Sequence, residues 1–431
     1  MTTSTPTAPT TLASLSLLAA FAATASAEPA KPLTAAEKAA GWTYLFDGSG
    51  TDAWRGFKQE GFPSQGWIVE DGTLKVGKGG GDLMTKDQYE DFELVLEFKC
   101  APKANSGIIY RCTEAGDTTW QTGPEFQVLE DLGYGAKPGD AHAAGALYDL
   151  YSPPEDKPTR PAGEWNEARV RIKDGLLQHY LNGAKVVECR IDTPEWKQKI
   201  AASKFKDYAG FGVQPKGHIA LQEHGDEVWY RNIRVRDLKA PMPGEVTLFN
   251  GRDTSGWTFF LNDNGKMHEV WSVDRGVLVC KGTPAGYIRT VEPYTSYVLK
   301  LEWRWSPVTK KEGNSGVLVR VQEPDKVWPK SIEAQLQSGS AGDFWNIGDF
   351  QMTTDTARLK GRNTKHTHAN ERPIGEWNEY EIIVDGPDVV VNVNGDTLNT
   401  ASGCGVIPGF IALQSEGTEI HFRRVRLSPL P

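Results

Sequence analysis

A chain of 431 residues is longer than one ordinary hydrophobic core supports, so two or three domains are expected. Aromatic residues make up 10% (14 tryptophans among them) and charged residues 24%, the composition of a globular rather than a disordered chain. The net charge of −9, with no basic stripe, argues against a nucleic-acid partner.

In chain order, the first element is a short apolar run at 11–21, followed by Ala25-Ser26-Ala27 ahead of Glu28. The run is too short to span a bilayer, and the small-residue triplet suits signal-peptide cleavage. No Lys or Arg precedes it, so only the initiator amine supplies positive charge there. We therefore expect a signal peptide over 1–27 and an exported protein, periplasmic or extracellular. No other segment is expected to cross a membrane. The five cysteines have no spacing typical of a metal cluster, and Cys100 and Cys112 fall at opposite ends of a hairpin. Buried free thiols are expected for most of them.

From residue 41 the chain reads twice. LFDG at 45–48 returns as LFNG at 248–251, with Trp54 answered by Trp257. WIVEDGTL at 67–74 returns as WSVDRGVL at 271–278, and NSG at 105–107 as NSG at 314–316. GEWN occurs at both 163–166 and 375–378, and IALQ at both 219–222 and 411–414. So long a period means two domains of one type rather than a solenoid. The domains are expected at 41–238 and 245–430, with a Pro-rich linker at 239–244.

Within each copy the runs are short, β-branched or aromatic, and punctuated by Gly, Pro, Asn and Asp, as at 92–99, 168–173 and 228–236. Asn182-Gly183 and Asn394-Gly395 are strong hairpin signals because both residues accept positive φ. About a dozen short strands per copy is the pattern of a β-sandwich. The start and end runs of a copy (LFDG and RNIRV) are expected to pair as neighbours. Residues 194–206 have no counterpart in the second copy and suit a short helix or a capping loop. NSG is expected to form a turn, and Trp165 and Trp377 to lie in the core.

The chemistry concentrates at 107–149. In the alternating run PEFQVLED, Phe126 and Val128 face one side while Glu125 and Gln127 face the other. In GIIYRC, Ile108 and Tyr110 point one way and Arg111 the other. A carboxylate, an amide and a guanidinium are thus expected on one outer face, beneath a Gly-rich segment carrying His142, Tyr148 and Asp149. In the second copy Arg111, Glu125 and Gln127 correspond to Arg320, Glu333 and Gln335. Trp345 is expected at the place of His142, and Glu416 at that of His224.

These residues resemble the 3-keto-disaccharide hydrolase domain family. The match is carried by LFDG, NSG-x-x-x-R at 105–111, E-x-Q at 125–127, H-x-x-G-x-L-Y-D at 142–149, GEWN, and GHIALQEHG at 217–225 followed by YRNIR. It covers nearly all of 41–238 and, more loosely, 244–430. The resemblance implies an all-β fold of tandem concanavalin-A-like jelly-roll β-sandwiches whose concave face binds sugar. It also implies cleavage of disaccharides or glycosides already oxidised to a ketone at carbon 3, with a separate sugar 3-oxidoreductase upstream. A 3-keto group acidifies the hydrogen on carbon 2, so a base can remove it and the glycosidic oxygen on carbon 1 can leave. Such a site needs a base, a polariser for the ketone and an acid for the leaving oxygen.

His142 and His224 are acid/base candidates because imidazole titrates near working pH; a purely structural role is the competing reading. Glu125 can serve as base, metal ligand or hydroxyl acceptor, or simply pair with Arg111. Arg111 can hold the ketone or enolate oxygen. Gln127 and Gln222 suit the positioning of hydroxyls, Tyr148 suits stacking or a hydrogen bond, and Asp149 the support of His142. In the second copy Glu333, Gln335, Arg320, Trp345 and Gln414 are expected to bind substrate. A divalent metal remains open, although no H-E-x-x-H spacing supports one.

Three functions are compatible with these residues. One is a keto-glycoside hydrolase in the N-terminal copy. Another is a lectin-like pair binding carbohydrate without chemistry, with Trp345 as a stacking platform. The third is a retaining glycosidase using Glu125 and Glu130, which requires the two carboxyls about 5 Å apart.

Overall fold

The computed structural model describes Met1 and residues 32–431; the expected signal peptide falls almost wholly outside the described residues. Among the described residues no helix is long and apolar enough to cross a membrane.

The chain folds as two antiparallel jelly-roll sandwiches. In the first, a wide sheet runs in the order Ala184–Arg190, Leu176–Leu181, Asn166–Lys173, Phe92–Cys100, Val228–Asp237, Thr73–Val76 and Trp67–Glu70. Trp42–Phe46 also pairs with Val228–Asp237, so the opening and closing runs of the domain are neighbours, as their sequences suggest. A narrow sheet packs against it: Trp54–Gly56, Leu83–Thr85, His218–Leu221, Asn105–Cys112 and Glu125–Leu129. Phe92, Leu94, Leu96 and Phe98 from the wide sheet meet Ile108, Tyr110, Phe126 and Val128 from the narrow one. The period-2 alternation of both runs puts these side chains inward. The second sandwich repeats the plan with its own core.

Asn182 and Gly183 take φ of 48° and 84°, and Asn394 and Gly395 take 50° and 92°, so both hairpins turn where Asn-Gly predicts. All five cysteines are free and buried. The insert at 194–206 is a helix, Pro194–Ala202, capped by Thr193 and followed by a 3-10 turn, Lys204–Asp207.

Two expectations fail locally. Asn105-Ser106-Gly107 is not a turn; it opens the strand Asn105–Cys112. Its serine ties two neighbours, donating from Oγ to the Gln222 carbonyl at 2.6 Å and accepting from the Tyr230 hydroxyl at 2.7 Å. Trp165 and Trp377 are half-buried on outer faces rather than in the cores. Alternation sends the next residues, Asn166 and Asn378, inward, and each indole instead lies under a guanidinium, Arg231 or Arg423, at 4.1 Å.

The outer faces of the two wide sheets meet across a buried ion lattice. Arg236 bonds Glu93 of its own domain and Glu381 of the other, each at 2.7 Å. Arg171 reaches Glu379 at 2.7 Å, and Lys173 reaches Glu379 at 2.8 Å and Glu302 at 3.2 Å. Burial alone pushes the Glu93, Glu379 and Glu381 carboxyls up. The guanidiniums and lysines facing them outweigh it and hold all three below the ordinary carboxylate range. The helix Ala35–Ala39 packs on Met242, Val298 and Leu430, adding an apolar contact between the domains.

Candidate functional site

The site lies on the face of the narrow sheet turned away from the core. Its floor is small and apolar, formed by Met84, Ile109, Cys112 and Ala220. Glu125 pairs with Ile109 and Gln127 with Gly107 across adjoining strands, which puts both polar side chains over that floor. They are only 4% and 2% exposed. Gly107 makes room for the carboxyl: a Cβ there would sit 2.2 Å from Glu125 Oε1. The NSG glycine is therefore required by close approach rather than by a turn.

Gln127 Nε2 donates to Asn105 Oδ1 at 3.1 Å, while Gln127 Oε1 is buried without a hydrogen-bond partner. A buried amide oxygen left open on a polar face is suited to an incoming hydroxyl. Gln222 continues the same face beyond Ala220, its backbone donating to the Gly107 carbonyl at 2.9 Å.

The Gly-rich segment is pinned over this face by backbone bonds: Gly145 to Gln127, Gln127 to Ala146, and Tyr148 to Glu125 at 3.0 Å. From beneath, the imidazole of His179 reaches the Gly145 carbonyl at 3.1 Å and the Tyr110 hydroxyl at 2.8 Å. Burial lowers that imidazole to about 3, so it is neutral, and its Nδ1–H donates to the carbonyl while Nε2 accepts from Tyr110. His179 is thus an anchor for the loop that carries Tyr148.

Lys204, from the 3-10 turn of the insert, completes the wall. Its ammonium lies 4.1 Å from the Tyr148 ring centroid and 4.9 Å from that of Trp120. Although much of the residue is exposed, the rings strip water from its head and lower its proton affinity, while Glu125 and Asp149 pull it back up. Glu125 is the mirror case: burial raises its carboxyl, Lys204 draws it back down, and Asp82 raises it further. Burial pushes each group toward its neutral form, and the charge of each favours the ionised form of the other. Asp82 is itself raised by burial and accepts the Thr119 hydroxyl and, at 3.0 Å, the Glu223 amide.

His142 stands beside Tyr148, rings edge to face at 4.8 Å. Its Nδ1 contacts Asp140 at 2.8 Å and its Nε2 contacts Asp149 at 3.2 Å, as expected for Asp149 as its support. Asp149 in turn accepts the Lys204 backbone amide at 2.8 Å. With both nitrogens engaged, His142 braces the Asp149–Lys204 connection. His224 is more open. Its side chain is 48% exposed, Nε2 is 3.4 Å from Asn105 Nδ2, and Nδ1 is 3.9 Å from Asp226.

Arg111 does not join this group, contrary to expectation. Cys112 pairs with His218 and Tyr110 with Ile219, which leaves Arg111 as the extra residue of a bulge with φ 52°. Its guanidinium turns to the Glu90 carbonyl, at 2.6 and 2.9 Å, and to Asp91 at 3.5 Å. Arg320 repeats the bulge with φ 55° and donates to the Gly386 and Gly405 carbonyls. Both arginines are scaffold. Glu130 leaves the face too, capping the turn at Asp131–Tyr134 by accepting from the Gly133 and Lys103 amides at 2.9 Å each. The paired carboxyls of a retaining glycosidase do not form along E-x-Q-x-x-E.

The second copy keeps Glu333, Gln335 and Gln414 at the places of Glu125, Gln127 and Gln222. Trp345, however, pairs with Glu333 as Tyr148 bonds Glu125, so it is the counterpart of Tyr148 and not of His142. The connection before it is shorter than in the first copy and carries no histidine. Glu416 bridges to Asn314 where His224 contacts Asn105, as expected.

Lys204, Asp82 and Trp120 were not singled out from sequence. Lys204 had one visible signal, its place in a segment that only the first copy has. Among the described residues no three His, Cys, Asp or Glu side chains converge as a metal-binding group, so no donor set for a divalent ion is assigned.

Sandwich, polar sheet face and tandem repeat together define a concanavalin-like architecture with one fully furnished site. The model of the 3-keto-α-glucoside-1,2-lyase-like domain matches residues 41–236 and again 244–428, and the chain belongs to that family. A 3-keto-disaccharide hydrolase of Bacteroides thetaiotaomicron is 33% identical over 233 residues, covering 46% of this chain and 79% of the relative. A Parabacteroides distasonis protein solved as a candidate glycosyl hydrolase is 31% identical and covers 48% of this chain and 99% of its own, with a TM-score of 0.44. A Bacillus licheniformis β-glucanase is 16% identical, covers 43% and 98% respectively, and has a TM-score of 0.32.

Proposed function

We propose that the N-terminal domain cleaves glycosides carrying a ketone at carbon 3, by elimination followed by hydration. The observation that carries this reading is the Glu125 carboxyl, buried over Gly107, raised by burial and facing the Lys204 ammonium. A base of raised proton affinity is matched to removing a weakly acidic C–H proton near neutral pH. Family membership supports the same substrate class.

Glu125 takes the proton from carbon 2, and the electron pair of that bond passes into an enolate on the carbon 3 oxygen. Lys204 supplies the cation for that oxygen. The pair then returns: the ketone re-forms, a double bond closes between carbons 1 and 2, and the bond from carbon 1 to the glycosidic oxygen breaks. The leaving oxygen takes a proton, for which His224, with its open side, is the donor. Water then adds its hydroxyl at carbon 1 and a proton at carbon 2, giving the free 3-keto sugar. Trp120 and Tyr148 wall the ring, and Gln127, Asn105 and Gln222 hold its hydroxyls. His142 acts through Asp149 on the position of Lys204.

In this reading the protein is exported, on the strength of residues 11–27, and a separate sugar 3-oxidoreductase supplies its substrate. The test is product formation from the keto and the ordinary form of one disaccharide, with and without chelator. Cleavage of the keto form alone, lost in Glu125→Gln, is expected. Equal cleavage of both forms would overturn the elimination chemistry, and binding of both without cleavage would favour a lectin-like pair.

A further inference from the structure

The second sandwich has a cavity of about 280 Å³ on the face equivalent to the first site, lined by Asn314, Trp328, Glu333, Gln335, Trp345 and Glu416. That volume is near the lower end of the roughly 300–1,000 Å³ of small-ligand sites, enough for about one sugar ring. We infer that this cavity is a separate binding site for a neutral, unoxidised pyranoside, held on tryptophan and hydrogen-bonded to the amides and carboxyls beneath.

Four observations lead there. Trp345 is half-buried beside Glu333, and Trp328 is 42% exposed in the same wall, so indole surface is available for the apolar face of a sugar ring. Asn314 Oδ1 is buried without a partner and open to a hydroxyl donor. Glu333 and Gln335 are only 6% and 3% exposed, and Gly316 leaves room for Glu333 as Gly107 does for Glu125. Finally, the charged groups differ from those of the first site. The insert that supplies Lys204 is missing, and Glu416 replaces His224. Burial and then Glu416 push the Glu333 carboxyl up, as burial and Asp82 do for Glu125, but no ammonium draws it back down. The cation in the wall, Arg362, is exposed. A site with two carboxyls and no ammonium or imidazole is built to hold hydroxyls, and it disfavours an anionic sugar or an enolate.

The inference does not rest on the keto-sugar reading, because its probes carry no ketone. Methyl α-D-glucopyranoside and cellobiose are titrated calorimetrically into the full chain carrying Glu125→Gln and Tyr148→Ala, which disable the first site. One equivalent is expected to bind, and binding is expected to weaken roughly tenfold or more on adding Trp345→Ala. Methyl glucuronide is expected to bind at least about tenfold more weakly than the glucoside. Should Trp345→Ala not fold, Trp328→Ala, at an exposed position, replaces it. Absence of binding by both probes at ~50 mM, or binding indifferent to both tryptophans, overturns the proposal. Equal affinity for the glucuronide overturns its neutral-ligand part.

Discussion

Gly107→Ala is the sharpest test of how the first site is built, because it leaves every proton-transferring group chemically intact and alters only the space beneath Glu125. The added Cβ would lie 2.2 Å from Glu125 Oε1, 2.8 Å from Cδ and 3.0 Å from Cγ, against the 3.4–4 Å of ordinary contact. The clash is with a side chain rather than backbone, so the fold survives and the carboxyl moves instead, by roughly 1 Å. A displacement of that size at a reacting group costs about 10²-fold in rate. Stability changes little: alanine lowers unfolded-chain entropy, worth about 0.4–1 kcal/mol, and displacing a packed carboxyl offsets that gain. The assay is kcat/KM on a 3-keto disaccharide beside a urea unfolding curve. A near-normal unfolding midpoint with activity down about a hundredfold is expected. Wild-type turnover in Gly107→Ala, with Glu125→Gln inactive, would show that the glycine does not place the carboxyl. Wild-type turnover in both would remove Glu125 from the chemistry.

Three other perturbations separate the remaining contributions. Lys204→Met removes the cation that draws the Glu125 carboxyl down, so the acid limb of the kcat/KM profile moves to higher pH and turnover at pH 7 falls roughly tenfold or more. Glu125→Gln should raise the melting temperature while abolishing turnover. A carboxyl whose folded proton affinity is raised loses stability as pH climbs above its unfolded value, so the gain should appear at pH 8 and vanish at pH 4 in calorimetric scans. Arg236→Met removes the link between Glu93 and Glu381 but leaves Glu93 its Arg169 and Glu381 its Lys300 at 3.2 Å, so it should lower stability in urea unfolding by less than the about 3–5 kcal/mol of a fully unpaired buried charge. The intact lattice sets an acid limit of opposite sign. Glu93, Glu379 and Glu381 are held below their unfolded value of 4.5, so their contribution is complete above that pH and is lost as pH falls through the folded values.

What could be read in advance was whatever obeys a simple period. Alternation in PEFQVLED put Phe126 and Val128 inward and Glu125 and Gln127 outward, and the repeated motifs defined two sandwiches. Arg111 escaped because one extra residue at positive φ inverts every side chain after it, and a bulge leaves no mark in composition. Trp345 takes the place of Tyr148 rather than that of His142 because the connections before them differ in length; only the strand register sets it against Glu333. Lys204 escaped because its role arises when a helix distant in sequence folds over the sheet face. The charges at Glu93, Arg169 and Arg171 alternate with core residues as a solvated face would. Their burial follows from docking a second domain, which no local pattern announces.

The two copies show how little of this fold is committed to chemistry. Both retain the glycine under a carboxyl, the neighbouring glutamines and the bulge that diverts an arginine; these set the shape of a polar sheet face. What differs is charge. The first copy sets its buried carboxyl against an ammonium, the arrangement on which the proposed proton transfer depends. The second also faces its carboxyl with another acid, Glu416, as Asp82 faces Glu125, but no ammonium lines the cavity to offset it. The inserted helix, Trp345 at the place of Tyr148 and Glu416 at that of His224 therefore separate the face for which we propose proton transfer from the one for which we propose hydroxyl binding.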